Sequence, residues 1–335
     1  MAYIDNKEEA VKLVIEAGHY LVEAGLTART WGNISARISD TQFVITPSGM
    51  AYDRLTENDI VTVNIEDCSY EGSIKPSSEK GIHADCYRLR PDVNFVIHTH
   101  QLYATAWGVL GKPLRLRDGL LGEIVPNSDY GISSTKKLRK NVAASVEAFP
   151  KAKAVFRRSH GLLCLGGDCE EAFAIAKRVE FLCKQKIDEA LPLKESEKPP
   201  VAVPDEIKTN VGDALVMFVD TPAIYETAHR REDQYPVIDD MAQLCGTSYR
   251  VVTVMDGWEK KVLHALKSSD IVFLRHRGAL CRGKDFDECK AIATVAEKNC
   301  LSALFAELYG TDARLSSADA LLQRTVYKMK YSKLK

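Results

Sequence analysis

The sequence of 335 residues lacks any apolar run that approaches the ~20 residues a helix needs to span a bilayer. Residues 1–9 contain acidic side chains and no apolar core, so we do not expect them to be a signal peptide. The sequence also lacks an excess of either charge, because 45 Lys and Arg residues face 46 Asp and Glu residues. Such a balance provides no electrostatic footprint for nucleic acid or an anionic lipid surface. We therefore expect neither a membrane nor a nucleic acid as partner.

Closely spaced cysteine pairs are missing as well. The chain has nine cysteines, an odd number, and none of them stands in a Cys-x-x-Cys pair. They fall within apolar helix or strand patterns, which predicts reduced, buried thiols in a cytoplasmic protein. The remaining composition is that of an ordinary globular protein, and the length allows about two domains.

Hydrophobic periodicity alternates between helical spacing and short strand-like runs. The predicted helices cover 7–25, 79–90, 101–110, 134–149 and 169–190, and the predicted strands cover 33–46, 58–65, 93–98 and 153–158. Residues 192–206 contain four prolines and many charges, so we predict a linker there. It would join a first domain, 1–191, to a second domain, 207–335.

The second half of the chain repeats part of the first. The segment 156–164 resembles the segment 273–281, which lies 117 residues later. Matches at the same offset continue without a gap as far as Cys183 and Cys300. This pattern indicates an internal duplication. Only the later part of the first unit is repeated, since nothing after residue 200 resembles residues 30–85.

Three histidines in the first half have the spacing of metal ligands. His98 and His100 stand two residues apart at the end of a predicted strand, so their side chains lie on one face. His160 follows another predicted strand and is available as a third imidazole ligand. In the repeat, Phe218, Asp220 and Arg277 stand at the three matching positions. We therefore predict one metal site per chain, in the first half.

Glu79 opens a predicted helix about twenty residues before the histidine pair. A carboxylate beside a metal can move a proton to or from carbon, but a first-turn acid favoured by the helix dipole fits the pattern equally well. His83, on the same predicted helix, is expected at the surface or in a cap.

Small residues also cluster in three turns at the ends of predicted elements. Free backbone N–H groups and hydroxyls in such turns can cradle an anion, although plain turn chemistry would also account for them. These residues are Gly32, Asn33, Ser48, Gly49, Ser77 and Ser78.

Five motifs occur together along the first half. They are Gly32-Asn33-Ile34-Ser35-x-Arg37, Thr46-Pro47-Ser48-Gly49, Lys75-Pro76-Ser77-Ser78-Glu79, His98-Thr99-His100 and His160-Gly161. With this combination the sequence resembles the class II aldolase/adducin family, which includes the L-fuculose-1-phosphate aldolases, over about residues 7–190. The resemblance implies an α/β fold of three layers (αβα), in which a mostly antiparallel sheet is flanked by helices. The later part of that fold would be duplicated in the second domain without its metal ligands.

The resemblance also implies a role for each motif residue. His98, His100 and His160 would hold zinc, or manganese or cobalt, and Glu79 would be the catalytic acid/base. Tyr130, which follows a proline-containing turn, stands where the aldolases place a tyrosine that reaches the active site of a neighbouring subunit. The residues implied to hold a substrate phosphate are Gly32, Asn33, Ser48, Gly49, Ser77 and Ser78.

The implied reaction is reversible cleavage of a ketose phosphate to dihydroxyacetone phosphate and an aldehyde through a metal-stabilised enediolate. Decarboxylation of a sugar-acid phosphate and 4-epimerisation of a pentulose phosphate are alternatives on the same scaffold, but the epimerases carry Asp at the position of Glu79. A non-catalytic scaffold such as adducin is an alternative of another class, and adducin-like heads lack the metal histidines. The expected partners are a phosphorylated sugar and further copies of the chain, in a dimer or tetramer.

Overall fold

A computed structural model describes residues 3–27, 31–230 and 232–330. The chain divides into two compact units between Gln185 and Lys186. This division falls inside a continuous helix, Cys169–Ala190, and therefore before the predicted domain boundary at residue 191. Residues 191–204, within or next to the predicted linker, contain no helix or strand.

The first unit contains nine strands, five α-helices and two short 3-10 helices, Tyr52–Arg54 and Glu57–Asp59, among its described residues. The strands are β1 (Asn33–Arg37), β2 (Gln42–Ile45), β3 (Val61–Asn64), β4 (Phe95–Thr99), β5 (Leu114–Asp118), β6 (Gly122–Val125), β7 (Asn127–Ser128), β8 (Ala154–Arg157) and β9 (Gly161–Gly166). The helices are α1 (Lys7–Glu23), α2 (Lys80–Leu89), α3 (Leu102–Gly108), α4 (Lys136–Ala148) and α5 (Cys169–Ala190).

Side chains directly before α1 and α4 account for the starts of these two helices. The Asn6 side chain caps α1 by accepting hydrogen bonds from the backbone N–H groups of Glu8 and Glu9, and Thr135 caps α4 by accepting one from Leu138. These bonds satisfy N–H groups that lack a partner within the first turn of a helix.

Seven strands form the central sheet in the order β3-β2-β1-β4-β9-β8-β7. All neighbouring pairs are antiparallel except β7–β8. Buried residues of α2 and α4 form one core with the sheet face that carries Val155. On the other face, α3 approaches Phe156 at Gly108, and α5 bonds to the chain around α3 through Gln101 and Glu180. The predicted fold, a mostly antiparallel sheet flanked by helices, is therefore confirmed.

Strand β9 is the main element that periodicity missed. All six of its residues are buried, because it lies inside the sheet between β4 and β8. A strand that is covered on both faces has no polar alternation, and a short apolar run cannot be assigned by periodicity alone. The short strands β5, β6 and β7 were also not predicted.

The second unit has a smaller sheet. Its elements are α6 (Asp205–Asn210), β10 (Leu215–Val219), α7 (Pro222–Thr227), α8 (Asp239–Cys245), β11 (Val251–Val252), α9 (Trp258–Ala265), β12 (Ile271–Leu274), β13 (Gly278–Gly283), α10 (Phe286–Leu308) and α11 (Ser317–Lys330). The four strands are ordered β10-β13-β12-β11, and only β11–β12 is parallel. Apolar residues of α6 and α9 pack with the strands in a core of this unit.

The two sheets share strand register. Phe95 of β4 pairs with Gly166 of β9, and Leu215 of β10 pairs with Gly283 of β13. The β8–β9 and β12–β13 pairs also correspond residue by residue at the offset of 117 positions found in the sequence. Strands β10, β13, β12 and β11 thus have the pairing pattern of β4, β9, β8 and β7.

Two glutamates make matching hydrogen bonds in the two units. Glu180 on α5 accepts from the backbone N–H groups that begin α3. Glu297 on α10 accepts from the backbone N–H groups that begin α7. The shared register and the shared helix-end contacts agree with the predicted duplication, which stays a prediction.

All nine cysteines are free thiols, seven of them buried. Among the described residues, no helix combines the length and the apolarity that crossing a membrane requires.

We expect Gly161→Ala to destabilise the first unit by about 1–3 kcal/mol. A Cβ at this position would stand 2.2 Å from the Thr99 carbonyl oxygen, so β4 or β9 would have to shift. Thermal and urea unfolding measure the loss. The matched control is Gly119→Ala, where a Cβ would meet no atom within 4 Å. Equal stability of the two variants would contradict this account of the β4–β9 contact.

Candidate metal centre and active site

Three histidines meet at one end of the large sheet. His98 lies in β4, His100 directly follows that strand, and His160 lies in the turn between β8 and β9. All three are buried, and their ligand nitrogens lie within 4.8 Å of one another. The ring centroids of His98 and His160 are 5.1 Å apart in a stacked arrangement. The structure therefore brings together the three residues that the sequence predicted as metal ligands.

His98 is oriented as a metal ligand would be. Its Nδ1 lies 2.9 Å from the carbonyl oxygen of Leu162, and because a carbonyl only accepts, Nδ1 carries the proton. Nε2 then presents a lone pair, and it is buried without a hydrogen-bond partner. Burial, reinforced by the charge of Arg157, lowers the pKa of His98 well below its usual range, which keeps the ring neutral. A buried acceptor without a partner is costly, and a metal ion would satisfy it.

The other two histidines are also held from outside the cluster. His160 Nδ1 lies 3.0 Å from the hydroxyl of Ser133 in the loop after β7. The His100 ring stacks on Trp31, with centroids 6.0 Å apart. Contacts of this kind fix the orientation of metal-binding imidazoles. The three side chains fit a divalent metal that prefers nitrogen ligands, and three protein ligands leave a position for substrate.

Glu79 lies beside the histidines in a buried ion pair with Arg157. Arg157 Nη1 donates to Oε2 at 2.7 Å, and Nη2 donates to Oε1 at 2.5 Å. Oε2 lies 3.8 Å from His98 Nε2, and Oε1 lies 3.8 Å from His160 Nε2. Burial alone would raise the pKa of Glu79, but the charge of Arg157 beside it holds that pKa well below its usual range. Glu79 is therefore an ionised carboxylate at neutral pH.

A chain of hydrogen bonds leads from Glu79 into the core. The carboxylate only accepts, so Asn33 donates to it with Nδ2 at 3.0 Å and turns its Oδ1 towards His83 Nε2. His83 Nε2 must then carry the proton, and Nδ1 accepts from the Ser35 hydroxyl at 2.6 Å. Since the Ser35 proton is used there, the Tyr87 hydroxyl donates to Ser35 Oγ. Both ends of the Asn33 amide are thus occupied.

The surface position expected for His83 is wrong. Its side chain is fully buried, and burial lowers its pKa to about 3. Helical periodicity could not reveal this, because the groups that bond to the ring, Asn33 Oδ1 and the Ser35 hydroxyl, lie on β1.

The serine turns of the predicted phosphate cradle lie side by side. Ser48 N–H donates to the Lys75 carbonyl oxygen at 2.9 Å, and Ser77 N–H donates to that of Thr46 at 3.0 Å. The expectation of free N–H groups is therefore wrong for Ser48 and Ser77. The Ser77 hydroxyl is buried and accepts from the backbone N–H of Glu79. The two backbone bonds bring both turns to the start of α2.

The remaining cradle residues are more accessible. Ser78 is exposed and shares a hydrogen bond of 2.7 Å with Ser134. Gly49 is half-buried, with a positive φ of 74°. Gly32 also has a positive φ, and a Cβ there would stand 2.6 Å from the carbonyl oxygen of His98. This close approach explains why glycine precedes β1.

Tyr130 lies half-buried in the loop that also carries Ser133. Its backbone carbonyl accepts a hydrogen bond of 3.1 Å from Asn141. The loop touches the histidine cluster through Ser133. The proposed contact of Tyr130 with a neighbouring subunit stays a prediction.

Arg157 is the functional candidate that sequence reasoning missed. It ends β8 after three apolar residues, in phase with Val155, which packs in the core. A cation at such a position requires a buried partner of opposite charge. The spacing of Arg157 two residues after a core residue could therefore have indicated a buried ion pair. Nothing in the local sequence could identify that partner as Glu79, which is 78 residues away.

The second unit differs at each position of the cluster. By strand register, Phe218 on β10 stands at the position of His98, and Leu274 on β12 stands at that of Arg157. Asp220 and Arg277 stand at the positions of His100 and His160. Among the described residues, the three-histidine group of the first unit is the one cluster able to hold a metal.

Comparison with known proteins relates this chain to a known family. The family model described as Class II Aldolase and Adducin N-terminal domain matches residues 12–187. The L-fuculose phosphate aldolase of Escherichia coli O6:H1 is 31% identical over 183 residues, which are 53% of this chain and 83% of the relative. The 5-deoxy-D-ribulose 1-phosphate aldolase of Bacillus thuringiensis serovar kurstaki is 34% identical over 176 residues, which are 51% of this chain and 81% of the relative.

One relative has a different reaction in its name. The methylthioribulose-1-phosphate dehydratase of Serratia proteamaculans is 30% identical over 202 residues, which are 56% of this chain and 98% of the relative. Among solved structures, an L-fuculose 1-phosphate aldolase has a TM-score of 0.51 and 32% identity, and the match covers 59% of this chain and 92% of that chain.

The buried His83 predicts a specific loss of stability in acid. In the folded protein the pKa of His83 is lowered to about 3, so the ring stays neutral in mild acid. In the unfolded chain the same ring has its ordinary pKa of about 6.5 and binds a proton below that pH. Because the unfolded state binds more protons, stability falls as pH falls below 6.5, by up to ~1.4 kcal/mol per pH unit from this group.

Urea unfolding between pH 7.5 and pH 5 measures this loss of stability. The His83→Gln variant should lack the part of the loss that arises from His83. His19→Gln, at an exposed position, should keep the pH dependence of the unaltered protein. The same slope in all three proteins would show that His83 is not held neutral.

Proposed function

The chain belongs to the class II aldolase and adducin family, and from this membership we propose that it is a metal-dependent aldolase. It cleaves a ketose phosphate reversibly to dihydroxyacetone phosphate and an aldehyde. Three buried imidazoles beside one ionised carboxylate carry the proposal, since His98 Nε2 has no hydrogen-bond partner and Glu79 lies 3.8 Å from it. Zinc is the proposed ion, with manganese and cobalt as alternatives, because imidazole suits all three.

Each group near the cluster has a proposed part in the reaction. When bound, the metal supplies Lewis-acid polarisation of the substrate carbonyl. Glu79 removes a proton from the carbon next to that carbonyl in the synthetic direction and returns it there after cleavage. Tyr130, from a neighbouring subunit, serves the oxygen of the aldehyde half.

The cradle at the start of α2 binds the substrate phosphate, at a distance from the bond that breaks. The side-by-side turns of Ser48 and Ser77 and the exposed hydroxyl of Ser78 support this assignment. The Asn33 amide is committed to Glu79 and His83. We therefore propose that Asn33 acts on Glu79 rather than on the phosphate through its side chain.

The second unit is proposed to be a degenerate copy of the later part of the first. Its support is the shared strand register and the matching bonds of Glu180 and Glu297. With Phe218 and Arg277 in place of two histidines, this copy offers no ligand set. We propose that it serves assembly, in which the chain forms a dimer or tetramer.

Dehydration of a ketose 1-phosphate is a second candidate. The observation that favours it is the match to 98% of the length of a methylthioribulose-1-phosphate dehydratase. A proton abstracted by Glu79 next to a carbonyl could lead to loss of water instead of cleavage between carbons. The products distinguish the two, because dehydration preserves the carbon chain.

The aldolase proposal predicts one metal ion per chain. We expect purification without chelators to yield about one zinc per chain, and His98→Ala to abolish both the metal and the release of dihydroxyacetone phosphate from a panel of ketose 1-phosphates. His276→Ala, in the second unit, is the matched control and should keep both. Elemental analysis and a coupled assay for triose phosphate are the measurements.

Other outcomes reassign the function. Metal without cleavage, but with loss of water from a panel member, would favour the dehydratase. Absence of metal in the unaltered protein would favour a non-catalytic scaffold and overturn the proposal that the chain is an enzyme.

Glu79→Gln tests the proton transfer without knowledge of the aldehyde. An aldolase of this kind exchanges a carbon-bound hydrogen of dihydroxyacetone phosphate with deuterium from D2O. We expect Glu79→Gln to slow this exchange by ~10²–10⁴-fold at saturating metal. Glu57→Gln, at an exposed carboxylate, should not change it, and equal exchange in the two variants would exclude Glu79 as the base. NMR of the recovered triose phosphate gives the rate.

A further inference from the structure

Arg157 has the most unusual environment of any charged residue near the candidate site. Its side chain is fully buried, and the guanidinium forms two parallel hydrogen bonds with the Glu79 carboxylate. An arginine keeps its charge in such surroundings. A permanent cation therefore lies within the contact range of the group proposed as catalytic base.

Both carboxylate oxygens of Glu79 accept hydrogen bonds from residues other than the histidines. Oε1 accepts from Arg157, and Oε2 accepts from Arg157 and from Asn33. A bidentate pair fixes the plane of a carboxylate as well as its position. The same oxygens face His98 and His160 at 3.8 Å. The guanidinium and any cation among the histidines thus compete for one carboxylate.

Building on the proposed function, we propose that Arg157 is a positioning residue that holds Glu79 as a base beside the metal and prevents it from becoming a metal ligand. The guanidinium neutralises the charge that Glu79 would otherwise offer to the ion. Arg157 thereby weakens metal binding and leaves the ion's charge available to an anionic substrate. The carboxylate stays oriented for proton transfer.

Charge counting makes this proposal quantitative. With a divalent ion, neutral imidazoles, Glu79 and Arg157, the site carries two positive charges. Arg157→Leu lowers this number to one, Glu79→Gln raises it to three, and the double variant restores two. A unit charge this close changes the affinity for a divalent ion by about tenfold or more. We therefore expect Arg157→Leu to bind the divalent ion most tightly and Glu79→Gln to bind it most weakly. The unaltered protein and the double variant should have equal, intermediate affinities.

The chain itself indicates which substitution the strand tolerates. Leu274 occupies the position in β12 that Arg157 occupies in β8, and it is fully buried. Arg157→Leu therefore places a side chain that the matching strand already accommodates. Arg157→Lys keeps the charge but loses the paired donors, so it separates the effect of charge from that of geometry.

The test is competition for Zn²⁺ against a fluorescent chelator, with the deuterium exchange of dihydroxyacetone phosphate measured on the same proteins. We expect Arg157→Leu to bind Zn²⁺ about tenfold or more tightly and to exchange at least tenfold more slowly. Arg157→Lys should bind Zn²⁺ as the unaltered protein does, yet exchange more slowly. Arg158→Gln, which removes the neighbouring half-buried arginine, should change neither.

Two results would overturn the proposal while the proposed function stands. They are unchanged or weaker Zn²⁺ binding by Arg157→Leu, and full exchange by Arg157→Lys. If Arg157→Leu does not fold, the exchange rate of Arg157→Lys decides alone. Absence of Zn²⁺ binding by the unaltered protein would instead overturn the proposed function and this inference with it.

Discussion

The pairing of β4 with β1 on one side and β9 on the other determines where the three histidines and Asn33 lie. Asn33 at the start of β1 pairs with His98 near the end of β4. His98 also pairs with Leu163 in β9, so the turn that carries His160 reaches the same end of the sheet. A slip of one residue would turn His98 to the opposite face. The cluster thus depends on backbone register before it depends on any side-chain contact.

Around that register, the site combines buried polar groups into one connected set. Arg157 and Asn33 hold the Glu79 carboxylate, and His83 orients the Asn33 amide. The bond directions follow in turn from the fact that an ionised carboxylate can only accept. Buried networks of this kind are costly when one member lacks its partner. Two buried atoms around the cluster have no hydrogen-bond partner, Arg157 Nε and His98 Nε2. Arg157 Nε carries a hydrogen, whereas His98 Nε2 offers a lone pair that a metal could use.

The two units pair their strands in the same way but carry different side chains at the positions of the site. Strands β10, β13 and β12 have the pairing of β4, β9 and β8, and Glu297 makes a helix-end contact like that of Glu180. The positions of His98 and Arg157 carry Phe218 and Leu274 instead. Apolar residues at these positions need no charged or metal partner, so this sheet can pack without a polar centre.

Local patterns in the sequence predict the helices of the first unit, the strands with clear alternation, and the three histidines and Glu79 as site residues. These features depend on local periodicity and on motif spacing, which are properties of neighbouring residues. The central position of β9 and the burial of His83 follow only from contacts between distant parts of the chain. The same is true of the hydrogen bonds that use the N–H groups of Ser48 and Ser77 within the fold.

The partner of Arg157 was likewise decided by tertiary structure alone. Its carboxylate lies 78 positions away in sequence, on another element of the fold. Local pattern shows that a buried cation needs an anion, but it contains no information on which anion the fold brings to it. The histidines and Glu79, which are proposed to carry the chemistry, could be predicted from the sequence. The contact between Glu79 and Arg157 exists only in the folded chain.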